Sequence, residues 1–219
     1  MKLKELSLQD CEQVRIWRNE CLESLRTPFP LTKEMQEQFY KDVVCNRGSH
    51  ARYWGIWETE KATLKIPLEG GYLGTPVDSS TLLPESYDAH IFIGMVGLEN
   101  IEWENRRAEI SIIINPEYKG KGYGTEAVGL LLEQGFMYLN LENIWGECYE
   151  NNPAIEFWMK ITRKYNPGQI PQWLDCTKYY AGKYWDSLWF NIEKAKWING
   201  KTDGLKLEIT ITDERDKEE

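Results

Sequence analysis

The sequence predicts an α/β (α+β) fold, with strands and helices interleaved around one sheet. Three observations carry this. Short β-branched and aromatic runs recur between helical patterns, which is the order of a layered domain. The run Ile110 to Ile114 stops at Asn115-Pro116, and a glycine-rich loop then leads at once into a helical pattern. The length of 219 residues, 42% of them hydrophobic, supports one sizeable core, with no evident linker.

Each element has a local reason. Lys2 to Leu6 reads as a short strand. Ser7 or Asp10 caps a helix to about Cys21, with Val14, Trp17 and Cys21 at helical spacing. Arg26-Thr27-Pro28-Phe29-Pro30 breaks it, and Thr32 starts a second helix to about Val44. Tyr53 to Trp57 is a strand. Lys61 to Asp88 is rich in Gly, Pro and Ser and reads as an insertion, with a small hairpin around Gly70-Gly71. His90 to Leu98 and Ala108 to Ile114 are strands. The second puts Glu109, Ser111 and Ile113 on one face and Ala108, Ile110, Ile112 and Ile114 on the other. Thr125 to Leu139 is a helix, Asn143 to Tyr149 a strand, and Ala154 to about Lys164 a helix. Trp173 to Tyr180 and Tyr184 to Ile192 form a hairpin around Ala181-Gly182-Lys183, and Leu205 to Thr212 alternates like one extra strand. The division that follows is one domain over 1–200 carrying the insertion 61–88, then a tail over 201–219.

Composition excludes several classes. The net charge of −9 argues against a nucleic-acid partner and suits a cationic one. No apolar run is long enough to span a bilayer, and Met1 to Leu6 has no apolar core of a secretory signal, so no membrane partner and a cytoplasmic location are expected. Cys11, Cys21, Cys45, Cys148 and Cys176 are scattered, and His50 and His90 are far apart, so neither a disulfide framework nor a metal site is expected.

The chemistry begins at the loop Lys119-Gly120-Lys121-Gly122-Tyr123-Gly124-Thr125. Its glycines let the backbone approach a ligand closely, and the helix that follows offers unpaired N–H groups and the positive end of its dipole. Phosphates bind such N-termini.

Ile93 to Lys160 resembles the GNAT superfamily of acetyl-CoA-dependent N-acetyltransferases. The family motif Arg/Gln-x-x-Gly-x-Gly/Ala corresponds to Lys119 through Gly124, with Lys119 at the first position. Gly97 to Ile101, Asn105 to Ile110, Asn115 to Tyr118 and Asn151-x-x-Ala154 fall in family order. Arg15-x-Trp17-Arg18-Asn19 looks like the first helix of the branch holding ribosomal-protein N-terminal acetyltransferases and spermidine N-acetyltransferases. The resemblance implies a mixed, mostly antiparallel sheet with helices on both faces and a V-shaped cleft for the coenzyme.

It also implies roles. Lys119 to Thr125 would hold the pyrophosphate of acetyl-CoA, Ile112, Ile113 and Ile114 would offer backbone to its pantetheine arm, and Asn151 and Trp158 would line the same site. Glu109 is the first candidate base for the acceptor amine, with a salt bridge to Arg106 or Arg107 as its competing role. Glu147 and Asp175 are further carboxylates. Trp158 stands where many relatives have an acidic tyrosine, and an indole is no proton donor of that kind; water, Tyr149 or Ser111 takes that place, or the thiolate leaves without an acid. Glu20, Glu23 and Arg26, with the aromatic residues Trp17, Phe29, Tyr53 and Trp54, are candidates for the acceptor pocket. The expected reaction is acetyl transfer from acetyl-CoA to a primary amine by direct attack, with a polyamine-like molecule or amino sugar ahead of a protein amine. A silent CoA-binding protein is the alternative of another class. A homodimer stays open, because the insertion can serve either as a pocket cover or as an oligomer contact.

Overall fold

The structure, a computed structural model, describes residues 1–26, 28–62 and 87–200. The expected hairpin at Gly70-Gly71 and the expected strand Leu205 to Thr212 lie outside the described residues. In chain order the elements are β1 (Lys2–Lys4), α1 (Leu8–Asn19), α2 (Lys33–Phe39), β2 (Arg52–Ala62), β3 (Tyr87–Glu102), β4 (Arg107–Ile114), α3 (Tyr123–Glu133), β5 (Asn143–Tyr149), α4 (Ile155–Tyr165), β6 (Gln172–Tyr180) and β7 (Lys183–Glu193). Residues 194–200 add a helix, α5, that the sequence reading did not foresee.

Local chemistry sets the ends. Ser7 caps α1 in a reciprocal box: its side chain accepts from the Asp10 N–H, and the Asp10 carboxylate accepts from the Ser7 N–H at 2.8 Å. Thr32 caps α2, which continues as a wider turn through Tyr40–Val44. The β6–β7 loop is two residues long, not three. Ala181 and Gly182 both have positive φ (52° and 83°), the backbone that matches the twist of a tight hairpin.

The sheet has seven strands in the order β1-β2-β3-β4-β5-β7-β6. Every neighbouring pair is antiparallel except β4 and β5, which run parallel. Helices cover both faces. The larger core lies under α3, α4 and α5 and includes Val96, Leu98, Ile110, Leu131, Phe136, Ile144, Ile161, Phe190 and Trp197. The smaller core lies under α1 and α2 and is built from Leu6, Cys11, Val14, Trp17 and Met95. Strand alternation decides the faces: Ile110, Ile112 and Ile114 join the larger core and Ile113 the smaller. Glu109 and Ser111 therefore face the α1–α2 side. Among the described residues no helix is long and apolar enough to cross a membrane.

Candidate active site

The site starts with a gap in the sheet. β4 and β5 pair through three positions only, Arg107 with Asn143, Ala108 with Ile144 and Glu109 with Trp145. Past Glu109, β4 keeps β3 as its partner, and β5 keeps β7. The two parallel strands thus diverge into a V. Ile110 to Ile114 present backbone toward β5 with no strand opposite.

The loop after β4 closes one end of this V. Gly120 and Gly122 hold φ of +75° and +91°, in the left-handed region that favours glycine. Gly122 stands at the N-cap of α3, and no side chain caps the helix there. The Thr125 N–H turns back to the Gly122 carbonyl at 3.0 Å, so the donors at this end lie toward Lys121 and Gly124. Lys121 rests its ammonium 5.0 Å from the Tyr118 ring centre, beside the loop. A Cβ on Gly124 would sit 3.2 Å from the Phe157 ring, so this glycine lets α3 approach α4.

Asn151, just after β5, closes the other side. Its Nδ2 donates to the Glu23 carbonyl at 2.8 Å, while its Oδ1 is buried with no hydrogen-bond partner. An open helix N-terminus, a left-handed glycine loop and an orphaned buried amide oxygen together fit a ligand bearing a pyrophosphate and amide groups. Coenzyme A is such a ligand.

The α1–α2 face of the V carries charge. The Glu109 carboxylate is 7% exposed and is gripped by both arms of the Arg26 guanidinium, Nη1 donating to Oε2 at 3.2 Å and Nη2 to Oε1. Asn100 Nδ2 donates to the same Oε2 at 2.8 Å. Arg26 Nη2 also lies 3.5 Å from Oε2 of Glu147, whose other oxygen accepts from Ser187 Oγ at 2.6 Å. Arg26 also acts electrostatically on the Tyr149 phenol. Burial pulls the Arg26 pKa down, but the bond to Glu109 and its charge outweigh that and raise it. Burial pushes the Tyr149 phenol up, against the pull of Arg26. Lys178 lies 4.7 Å over the Tyr149 ring and donates to the Glu23 carbonyl at 2.7 Å.

Several expectations change here. Glu109 pairs with neither Arg106 nor Arg107. Arg107 is claimed by its cross-strand partner Glu102 at 2.8 Å, and Arg106 by Glu142 at 2.7 Å. Trp54 lies on the wrong face for an acceptor pocket between α1 and α2, because it packs on the larger core; its neighbour Tyr53 faces α2, edge-on to Phe39 at 5.1 Å. Glu20 is an exposed cap at the end of α1. Trp158 is a core residue, stacked on Phe190 at 4.8 Å and 7% exposed. Asp175 is exposed on β6, away from the carboxylate pair on β4 and β5. Ser111 is half-buried two residues past Glu109 on the same face. The sequence reading missed the roles of Asn100 and Lys178 and the pairing of Arg26. No local signal marks them, since Arg26 and Glu109 are 83 residues apart and Lys178 and Glu23 are 155 apart.

Comparisons with known proteins agree with this geometry. The family description "Acetyltransferase (GNAT) domain" matches residues 1–161. The spermidine N(1)-acetyltransferase of Escherichia coli K12 is 36% identical over 144 residues, 58% of this chain and 68% of that protein. Its Vibrio cholerae counterpart is 33% identical over 140 residues, 57% of this chain and 79% of that protein. A solved structure of spermidine N-acetyltransferase from Vibrio cholerae, in complex with CoA and spermine, shares the fold with a TM-score of 0.62 at 21% identity, covering 90% of this chain and 97% of that one. With the V, the glycine loop and the family match in hand, this chain belongs to the GNAT family of acetyltransferases, enzymes that take their acetyl group from acetyl-CoA.

Proposed function

We propose that this enzyme acetylates a primary amine of a polyamine. The observation that carries the reading is the pair of carboxylates, Glu109 and Glu147, set on opposite arms of the V beside the unpaired edge of β4. A polyamine is an extended polycation, and a bracket of two carboxylates offers it charge at the point where the arms part. The spermidine acetyltransferases similar to this chain support the same acceptor class.

In this reading Lys119 to Thr125 hold the pyrophosphate of acetyl-CoA by backbone N–H groups. Ile112 to Ile114 hold its pantetheine arm as a neighbouring strand would, and one of their N–H groups polarises the thioester carbonyl. Asn151 Oδ1 accepts from an amide of that arm. The acceptor amine is mostly protonated near neutrality, with a pKa of about 10. It loses that proton, attacks the carbonyl carbon directly, and the carbon–sulfur bond breaks. Glu109 takes the ammonium proton through a water, the Tyr149 phenol, kept protonated by burial, gives one to the departing thiolate, and the nitrogen's second proton returns to the phenolate. Ser111, next along the face from Glu109, positions the water. All these residues belong to one chain and to a domain spanning 1–200.

The test is thiol release from acetyl-CoA with spermidine, spermine, amino sugars and short peptides as acceptors. Turnover with the polyamines at the lowest KM is the expected result. Turnover confined to peptides or amino sugars overturns the polyamine reading, and tight acetyl-CoA binding with no thiol from any acceptor favours a silent CoA-binding protein.

A further inference from the structure

Arg26 stands where an acceptor ammonium has to stand. Its guanidinium spans the V, forked onto Glu109 on β4 and 3.5 Å from Glu147 on β5. The segment that delivers it is pinned from the far arm. Asn151 Nδ2 and Lys178 Nζ donate to the Glu23 carbonyl at 2.8 and 2.7 Å, and Asn152 Nδ2 to the Ser24 carbonyl at 3.0 Å. The arrangement has an inside and an outside. Glu109 is 7% exposed, whereas the Arg26 side chain is 47% exposed and meets solvent at the mouth. A buried carboxylate is thus sealed by a cation that a ligand can reach.

We propose that Arg26 sets acceptor specificity: it fills the ammonium subsite between Glu109 and Glu147, and an acceptor must bring a second positive charge to displace it. This rests on the polyamine reading above and adds the reason for it. A carboxylate as buried as Glu109 is strongly disfavoured without a cation, so Arg26 leaves only when another cation arrives. A monoamine has to be neutral at its one nitrogen to react, and so it brings no replacement charge. A polyamine delivers one neutral nitrogen to the thioester while a tethered ammonium takes over from the guanidinium between Glu109 and Glu147. The same exchange replaces a two-armed fork on Glu109 by a single ammonium contact, so acceptor binding frees one oxygen of the base.

The experiment compares wild type, Arg26→Gln and Arg26→Lys in thiol release with spermidine and with n-butylamine. The readout is the ratio of kcat/KM for the two acceptors. Wild type is expected to favour spermidine strongly. Arg26→Gln is expected to lower the spermidine KM and to narrow the ratio at least about tenfold. Arg26→Lys, which makes one contact in place of a fork, is expected to narrow it by less. An unchanged ratio, or a spermidine KM that rises in Arg26→Gln, overturns the inference while leaving the polyamine reading standing. A wild-type enzyme inactive on spermidine but active on another amine overturns both. Should Arg26→Gln not fold, the ratio in Arg26→Lys decides alone.

Discussion

Gly122 combines a φ of +91° with open space: a Cβ there would meet nothing within 4 Å. Substitution at this residue therefore acts through backbone strain, about 1–3 kcal/mol, and through what the new side chain covers. Gly122→Trp is expected to fold with a lowered melting temperature and to weaken acetyl-CoA at least tenfold, about 1.4 kcal/mol, by calorimetry. Unchanged affinity would remove the loop from the donor site. This residue was legible in the sequence because its reason is local, a turn followed by a helix start. The grip of Arg26 on Glu109 was not, because a side-chain pair 83 residues apart leaves no periodicity. Trp158 was legible as an aromatic after Asn151, whereas its packing against Phe157 and Phe190 was not.

At the scale of elements, β6 is an edge strand with a fault built into it. Cys176 has a φ of 54°, and the pairing with β7 shifts register between Leu174 and Lys178. The bulge turns Lys178 inward, to 5% exposure, on a strand whose other residues are mostly exposed. Burial lowers the pKa of its ammonium, yet the group is held by the Glu23 carbonyl and two aromatic rings, Tyr149 and Tyr180. Lys178→Met keeps the bulk and loses the charged bond, for an expected cost of about 1–3 kcal/mol of stability, read as a lowered urea midpoint. No shift in the midpoint would mean that the segment before Arg26 is held without it. Ends with chemistry of their own, such as the Ser7 and Thr32 caps and the Ala181-Gly182 turn, were readable in advance. The lengths of β2 and β3 were not. Their ladder continues through polar residues, with Thr59 opposite His90, and only a partner strand justifies strand there.

For the whole molecule, the two cores hide ionisable groups that must stay neutral. Burial pushes the Cys11 and Cys148 thiols up to about 12 from 9.0, and burial together with Glu99 raises Tyr53. Both thiols are thus raised in the folded state. Their contribution is complete below pH 9, where folded and unfolded thiols are alike protonated. Above it the unfolded chain loses protons that the folded chain keeps, so stability falls as pH rises from 9 toward 12. Melting temperature followed from pH 7 to 11 is expected to drop above about 9, and less steeply in a Cys11→Ala, Cys148→Ala variant. A flat profile would mean that the thiols ionise in place.

The V between β4 and β5 has a mechanical meaning as well. Because three residue pairs join the halves, the one sheet divides into two blocks, β1 to β4 and β5 to β7, stitched at one end. In the proposed binding mode a donor laid along Ile110 to Ile114 would be the missing strand, and its arrival would complete the ladder. Deuterium exchange would register this as a seam closing. The β4 amides that point away from β3 are expected to exchange rapidly in the free protein and slowly with acetyl-CoA, while the β2–β3 ladder keeps its rate. The substrate would then be, for the duration of one turnover, part of the fold.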